Sequence, residues 1–326
     1  MSFKQPFSPD ILKIQDIESF IARLTDKLKN DVLGIRKQGG VIGISGGIDS
    51  SVTLALAVKA FGAGRVLGIM LPEKDSSTDS KDFALELANK FSAEAIDENI
   101  TGALEGFRCY QRRDEAVARV FPEYNSTTYK MKIGINQTGM SQNLPPVFSL
   151  TIIDQHGGQK SKILPVKEYL QIVAASNFKQ RSRMAMLYYH AEVRNYAVIG
   201  TSNKHEIEQG FFVKYGDSGV DVMPIGNLYK TQVYQIADYI GIPDEIIKRT
   251  PTTDTYSAEQ TQEEFFYQLP FREMDLLWYG YENEYSPEEI GAVLKKTPEE
   301  IGLIFNNFKR KQKATDYLRM SSIKDY

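Results

Sequence analysis

Short, wholly apolar runs alternate with longer segments of helical periodicity in the first third of the chain. Residues 41–44 and 66–71 are such apolar runs, and they predict buried strands at 41–45 and 65–71. Residues 14–38, 50–61 and about 80–91 carry apolar side chains at helical spacing and predict helices. Continuously apolar strands that take turns with helices are typical of an α/β protein with a doubly wound parallel sheet. In that architecture ligands bind at the carboxyl ends of the strands.

This alternation breaks between about residues 106 and 165. Residues 147–153 alternate like a half-buried strand, residues 154–159 contain two glycines, and residues 160–164 are a candidate returning strand. We therefore predict an inserted β-hairpin region within one domain that spans residues 1–326, rather than a separate domain.

The second half is predicted to be mainly helical. Helices are expected at about 166–175 and 177–193, followed by a strand at 196–199 and a helical tail from 255 to 326. Two segments of the tail have capping-box spacing with proline at the first helical position: Ser286-Pro287-Glu288-Glu289 and Thr297-Pro298-Glu299-Glu300. Each of these segments marks the start of a helix.

Composition narrows the class of protein. The formal net charge of −3 gives no general attraction to nucleic acid, and the one basic run, at 309–313, is typical of a solvated helix face. No apolar stretch has the length of a membrane span, and no signal-peptide pattern is present. The single cysteine, Cys109, excludes an internal disulfide and a cysteine cluster for zinc. We expect a cytoplasmic protein that binds neither nucleic acid nor membranes.

The most informative motif is the phosphate loop, residues 43–50, with the sequence Gly-Ile-Ser-Gly-Gly-Ile-Asp-Ser. It follows a predicted strand and opens a predicted helix. Glycines let an anion approach the backbone closely, and the free N–H groups of a helix N-terminus attract phosphate. Asp49 adds a carboxylate that suits a phosphate-bound Mg²⁺. A purely structural glycine turn is the alternative.

Two better-known phosphate-binding motifs are absent from this turn. No lysine follows the glycines as in a P-loop, and the spacing is not that of a dinucleotide fingerprint. The run Ser-Gly-Gly-x-Asp-Ser resembles instead the pyrophosphate loop of N-type ATP pyrophosphatases, which have the adenine nucleotide alpha hydrolase-like fold and split ATP into AMP and pyrophosphate. Residues Met70-Leu71-Pro72, at the same sheet edge, are candidates to contact an adenine ring.

Further motifs follow the strand predicted at 196–199. They are Gly200-Thr201, Glu206, the run Gly-Phe-Phe-Val-Lys-Tyr-Gly-Asp at 210–217, Leu228-Tyr229-Lys230-Thr231-Gln232, and Pro251-Thr252-Thr253-Asp254. Together with the phosphate loop, these motifs resemble NAD synthase over roughly residues 17–110 and 165–275. The resemblance implies a ligase that amidates deamido-NAD with ATP, Mg²⁺ and ammonia through an acyl-adenylate.

The resemblance also implies roles for individual residues. Asp49 and Glu206 would share Mg²⁺, and Lys230 would neutralise charge on the departing pyrophosphate, so Asp49 and Lys230 are the candidate catalytic residues. The candidate ATP-binding residues are Gly43, Ile44, Ser45, Gly46, Gly47, Ile48, Asp49, Ser50, Thr201, Lys230 and Thr252. The candidates for deamido-NAD are Arg181, Lys214 and Asp221, with Lys309 in the place of a His-Lys pair that the family often carries near its C-terminus.

Several alternatives stay open. The alternative for Arg181, with Arg183, is an exposed helix face, and the alternative for Glu206 is a plain surface position on a helix. Because the family implies a homodimer, the apolar stripe of residues 14–38 faces either a second copy or its own sheet. Only about 40 residues precede the phosphate loop, so we expect free ammonia rather than glutamine as the nitrogen source. The competing functions are another adenylating amidotransferase or thiolase with a non-dinucleotide acceptor, and a nucleotide-binding module without turnover.

Overall fold

The computed structural model describes residues 4–77, 79–136, 147–252, 256–258, 260–262 and 266–324. A four-stranded parallel sheet lies at its centre, in the order β3-β2-β1-β7. The strands are β1 (Gly40–Gly43), β2 (Val66–Met70), β3 (Glu94–Asp97) and β7 (Ala197–Val198). Val41 is in register with Leu67 on one side and Val198 on the other. The predicted doubly wound α/β sheet is confirmed.

Helices cover both faces of this sheet and build the C-terminal part of the chain. Their bounds are α1 Ile17–Gly34, α2 Ile48–Phe61, α3 Asp79–Lys90, α4 Thr101–Gly106, α5 Cys109–Val120, α6 Val166–Arg194, α7 Lys204–Gln209, α8 Lys230–Ile240, α9 Asp244–Lys248, α10 Phe271–Glu282, α11 Pro287–Leu294 and α12 Pro298–Arg319. None of the helices in the described part of the chain combines the length and the apolar character that a bilayer span requires.

Side chains of β1 point alternately to two cores, as the pleat of a strand demands. Ile42 joins the core formed with α1, α2 and α8, whereas Val41 joins the core under α6. The apolar stripe of α1 (Ile21, Leu28 and Val32) is buried in the first of these cores. The interpretation of this stripe as a surface for a second copy is therefore wrong, because the helix packs on its own domain.

The segment between α5 and α6 forms a second, antiparallel sheet. Strands β5 (Val147–Asp154) and β6 (Gln159–Ile163) are the predicted hairpin, and β4 (Tyr129–Asn136) pairs with the other edge of β5. The sequence analysis did not identify β4, although Met131 and Ile133 alternate with polar residues and are fully buried. Residues 137–146 lie outside the described part.

Helix α6 was predicted as two helices and is a single helix of 29 residues. The polar Ser176 does not interrupt it, because its Oγ donates to the Ile172 carbonyl one turn earlier, at 3.2 Å. The predicted helical tail is confirmed from Phe271 onward. Both capping boxes form, with the Ser286 and Thr297 hydroxyls accepting from the amides of Glu289 and Glu300.

Candidate active site

The phosphate loop leaves the sheet through a turn at Gly46. Gly46 has a φ of +69°, and a Cβ there would lie 2.7 Å from the Ser80 carbonyl oxygen and 2.9 Å from the Phe83 Cβ. Glycine is therefore required at this position both for its conformation and for space. Gly47 is the N-cap of α2 and has no side chain with which to cap the helix. The first N–H groups of α2 thus remain available for a phosphate.

Serine side chains fix the shape of this turn. The Ser50 Oγ accepts from the Ser45 amide at 3.3 Å and donates to the Gly47 carbonyl at 3.0 Å. Ser51 also donates to the Gly47 carbonyl, at 2.8 Å. The two predicted phosphate-binding hydroxyls, of Ser45 and Ser50, lie 3.3 Å apart on the same side of the loop. They are therefore placed together where the loop faces the cavity described next.

A small cavity of about 150 Å³ lies in front of the loop. Eight predicted site residues line it. They are Ser45, Gly47, Ile48, Asp49, Ser50, Thr201, Thr252 and the predicted metal ligand Glu206. The interpretation of Glu206 as a plain surface residue is therefore wrong. The sequence analysis missed one cation of this cavity, Arg249, which donates to the Ser80 hydroxyl at 3.0 Å and to the Gly46 carbonyl at 3.4 Å.

Lys230 is the buried positive charge of the site. It is the first residue of α8, and its Nζ donates to Asp49 Oδ2. Asn203 holds the other oxygen of the same carboxylate, with Nδ2 at 3.4 Å from Asp49 Oδ1. Burial by itself would lower the pKa of Lys230, but the carboxylates of Asp49 and Glu206 outweigh it and raise the pKa. The ammonium is therefore charged whenever these carboxylates are ionised.

Glu206 lies in the first turn of α7, where it forms a capping box with Asn203. Its Oε2 accepts from the Asn203 amide at 3.0 Å, and Asn203 Oδ1 accepts from the Glu206 amide at 3.3 Å. Burial and the negative charge of Asp49 raise the pKa of Glu206 to about 8, against the opposing effect of Lys230. The two carboxylates are close enough to repel each other, so a cation between them would be stabilised.

These residues fit a magnesium ion that is also bound by substrate. The carboxylates of Asp49 and Glu206 are hard oxygen donors on one cavity, as Mg²⁺ prefers. The described part of the chain contains no group of three or more acidic, histidine or cysteine side chains that could hold a metal. Phosphate oxygens and water usually complete the ligands of Mg²⁺ beside a nucleotide.

Asp275 and His205 form a buried pair that was not predicted from the sequence. This pair positions α7, which carries Glu206, and α8, which begins at Lys230. The Asp275 carboxylate, on α10, accepts from the Lys230 amide at 3.3 Å and the Thr231 amide at 2.7 Å. The same carboxylate lies 2.6 Å from Nε2 of His205, the neighbour of Glu206 on α7. Asp275 therefore caps α8, which offsets the unfavourable placement of the Lys230 ammonium at a helix N-terminus.

A larger cavity of about 520 Å³ extends along the carboxyl edge of the sheet. It continues from the phosphate loop past Met70-Leu71-Pro72 to α6 and to residues 210–217. The predicted adenine-contacting residues thus line it. Arg183 is among the lining residues and donates to the Leu71 carbonyl at 3.2 Å. The cavity is large enough for a nucleotide and is partly apolar, as ligand sites usually are.

The four residues predicted for deamido-NAD do not line either cavity. Arg181 is exposed and its Nε donates to the Lys214 carbonyl at 3.2 Å, while Lys214 Nζ donates to the carbonyls of Tyr317 and Met320 at the end of α12. Asp221 accepts from the Val198 amide at 2.8 Å. Lys309 is exposed on α12. Their role in binding the acceptor stays a prediction.

Lys311, two residues beyond Lys309, lies in a different environment. Its Nζ donates to the Phe266 carbonyl at 2.8 Å and lies 4.4 Å from the centre of the Phe266 ring. Burial lowers the pKa of Lys311 to about 7. Because Phe266 lines the larger cavity, Lys311 stands next to a wall of the site, whereas Lys309 faces solvent.

The first strand of the parallel sheet ends in a glycine turn that leads to the uncapped N-terminus of α2. A buried lysine and two carboxylates lie beside this turn. Together these features are those of a nucleotide-binding α/β enzyme. Comparison with known proteins gives the family. The model of the NAD synthase family matches residues 20–144 and 147–315. An NH(3)-dependent NAD(+) synthetase of Rhizobium meliloti is 43% identical over 315 residues, which are 96% of this chain and 93% of that protein. The chain belongs to the NAD synthase family.

Solved structures share the fold at lower sequence identity. NMN synthetase from Francisella tularensis superposes with a TM-score of 0.65 at 23% identity and covers 95% of this chain and 98% of its own. NH3-dependent NAD synthetase from Campylobacter jejuni superposes with a TM-score of 0.62 at 21% identity, with 96% and 100% of the two chains covered. At these identities the likeness concerns the fold alone.

Proposed function

We propose that this protein converts deamido-NAD to NAD⁺ with ATP and ammonia, releasing AMP and pyrophosphate. One observation carries the proposal beyond family membership. The uncapped N-terminus of α2 and the carboxylates of Asp49 and Glu206 meet at one cavity, and the buried Lys230 binds Asp49 from outside the cavity lining. That combination suits the polyphosphate of ATP and a divalent cation, and it needs no protein nucleophile.

The reaction follows from the chemistry of the substrates. The nicotinate carboxylate of deamido-NAD attacks the α-phosphorus of ATP, and the bond to the pyrophosphate oxygen breaks. The resulting acyl-adenylate has AMP as its leaving group, so ammonia attacks the acyl carbon, loses a proton, and expels AMP to leave the amide. The protein's part is to orient the reactants and to stabilise the charge on the leaving group.

Three features of this chain would supply that stabilisation. The amides of α2 would face the phosphates, the ammonium of Lys230 binds Asp49, and the guanidinium of Arg249 donates to the Gly46 carbonyl of the loop. Mg²⁺ held by Asp49 and Glu206 would add Lewis-acid stabilisation of the departing pyrophosphate. Water must be kept from the adenylate, and the larger cavity is walled by α6, the sheet and residues 210–217.

The acceptor is tested directly by a substrate comparison. We expect NAD⁺ and pyrophosphate to appear in equal amounts with deamido-NAD, ATP, Mg²⁺ and ammonium. Nicotinate mononucleotide, which lacks the AMP half, is the matched acceptor. Equal or faster turnover of the mononucleotide would contradict the dinucleotide assignment, and ATP binding without pyrophosphate release for either acceptor would contradict an enzymatic role altogether.

Free ammonia is proposed as the nitrogen source. Cys109, the single cysteine, is buried and lies 3.2 Å from the Ala175 carbonyl, and burial raises the pKa of its thiol. Such a thiol is a poor nucleophile for releasing ammonia from glutamine. We expect activity with ammonium, none with glutamine, and unchanged activity in Cys109→Ala. Equal rates with glutamine in the purified chain would contradict this.

A homodimer is proposed on a surface other than α1. Exposed residues follow two successive i, i+4 rows along α6, here called the ridge, and most of them are apolar or small: Val166, Leu170 and Ala174, then Arg181, Ala185, Tyr189 and Val193. Ridges of this kind pack into the grooves of a second helix, and a two-fold axis would pair the ridge with itself. Arg181 lies within the ridge, so a dimer would bring it near the partner copy.

This proposal predicts which substitution separates the two copies. Ala185→Arg should give a monomer in sedimentation at micromolar concentration, because a buried unpaired charge is costly at a helix interface. Ala22→Arg, an exposed alanine on α1, is the matched control and should leave the dimer intact. An active monomer of the unmodified chain, or dissociation by the α1 variant alone, would contradict the assignment.

We also propose that the protein is located in the cytoplasm.

A further inference from the structure

The strand-to-helix segment after β2 is anchored in a buried ionic cluster. Lys179 Nζ, from α6, lies 3.0 Å from Glu73 Oε1 and 2.7 Å from Asp75 Oδ2. Arg113, from α5, also binds Asp75 Oδ2, and its Nε lies 2.8 Å from Asp114 Oδ1. The side chains of Glu73, Asp75, Lys179 and Arg113 are each no more than 7% exposed.

A tyrosine of α5 completes the cluster. The Tyr110 hydroxyl donates to Glu73 Oε2 at 2.7 Å and accepts from the Lys74 amide at 3.2 Å. Within the segment, Ser76 Oγ accepts from the Glu73 amide at 3.0 Å. The carboxylates of Glu73 and Asp75 thus share one buried volume with two cations, and the less buried Asp114 adds a third carboxylate beside Arg113. A buried ionic cluster is poor evidence for stability, because apolar residues in its place often give an equally stable protein. It can, however, hold the surrounding chain in one conformation.

What this cluster fixes is one wall of the larger cavity. Leu71, Pro72, Ser76 and Ser77 line the cavity and flank the anchored residues Glu73 and Asp75. Lys179 lies next to Gln180 on α6, which also lines the cavity. The wall is therefore bound to both α6 and α5, since Lys179 and Arg113 each bind Asp75. Helix α5 belongs to the segment 106–165, for which the sequence predicted no role.

We propose that Arg113 and Lys179 are positioning residues, which hold residues 71–77 as the adenine-facing wall of the ATP site. The proposal rests on the proposed function in that ATP is taken to be the ligand of this cavity. It assigns a task to α5: the helix braces the nucleotide site from behind, without touching the reacting atoms.

The test measures ATP affinity in the absence of any acceptor, so that it does not depend on the reaction. Arg113→Gln should weaken ATP binding about tenfold, because small displacements of a binding wall carry large penalties. Arg113→Lys should recover part of that loss. The matched control is Arg112→Gln, since Arg112 is an exposed arginine at the preceding position of α5, and this variant should bind ATP as the unmodified chain does.

A second variant covers the case in which Arg113→Gln does not fold. Tyr110→Phe keeps every charge and removes the two hydrogen bonds of the hydroxyl, to Glu73 and from the Lys74 amide, and we expect it to weaken ATP binding about threefold, the smaller effect of lost hydrogen bonds. In steady-state assays the KM for ATP should rise in each variant while the KM for ammonium stays constant. Unchanged ATP affinity in the folded variants, or an equal loss in Arg112→Gln, would overturn the proposal. If the unmodified chain binds ATP but makes no NAD⁺, the proposed function fails while this inference stands.

Discussion

Lys230→Met should lower the rate of pyrophosphate release by about 10³-fold, near the upper end of what removing one stabilising donor costs an enzyme. The Lys230 ammonium is buried and binds Asp49, and Glu206 also raises its pKa. Methionine keeps the length of the side chain and removes the charge. The site then loses the ammonium that offsets the charges of Asp49 and Glu206, and it attracts the polyphosphate less strongly.

The measurement is single-turnover pyrophosphate release with ATP and deamido-NAD, without ammonia, so that only adenylation is followed. Lys204→Met is the control, because Lys204 is an ion-paired lysine of α7 whose partner is Glu282, 2.9 Å away. That variant should stay within about threefold of the unmodified chain, as expected for a partly exposed ion pair. A loss of less than tenfold in Lys230→Met, with the fold intact by circular dichroism, would remove Lys230 from the charge stabilisation.

The parts of this site that the sequence predicts are those encoded locally. The phosphate loop, its strand and its helix occupy one continuous segment, so glycine conformation and helix-dipole arguments apply to it directly. The capping boxes at Ser286 and Thr297 are local in the same sense, and both form. Strand β4 was also encoded locally, since its apolar residues alternate, and it was missed because the surrounding region was interpreted as irregular.

The parts that could not be predicted depend on contacts between distant residues. Arg249 reaches the phosphate loop over 203 residues of sequence, and Lys179 reaches Asp75 over 104. Asp275 caps α8 from 45 residues away and contacts His205 from 70. Each of these is an ordinary charged or polar residue in its own segment, and nothing in the local pattern distinguishes it from a solvated side chain. Only the fold brings each to its partner.

The site residues that the family resemblance implies fall into two groups, those that the fold brings together and those that it does not. Asp49, Glu206, Thr201 and Thr252 meet at one cavity. Arg181, Lys214, Asp221 and Lys309 lie on α6, on the segment after α7 and on α12, away from both cavities. A second copy packed on the α6 ridge would change the surroundings of Arg181. The dimer and the acceptor site are therefore best tested together, with Ala185→Arg assayed for deamido-NAD affinity as well as for mass.

Glu206→Gln and Asp49→Asn should each slow pyrophosphate release by about 10²-fold, because each removes one charged ligand from the metal that would be bound beside the phosphates. Both side chains line the small cavity, and Asn203 and Lys230 hold them in place by hydrogen bonds that an amide can partly keep. Folding should be little changed, which thermal unfolding would check. Glu208→Gln, two residues further along α7, is the matched control and should retain activity.

The pH dependence distinguishes a metal ligand from a merely polar wall residue. With no metal bound, the pKa of Glu206 is raised to about 8, so the side chain carries a proton below that pH and is ionised above it. Mg²⁺ binds the ionised form, so the Mg²⁺ concentration for half-maximal pyrophosphate release should fall as the pH rises from 7 to about 8, by up to roughly tenfold per pH unit, and then level off. Ammonia is omitted from this assay, because its own protonation state changes in a neighbouring pH range. Glu206→Gln should abolish this dependence and Glu208→Gln should keep it. The same steep dependence in Glu206→Gln, or near-normal activity in either substitution at the metal site, would show that Mg²⁺ is held elsewhere.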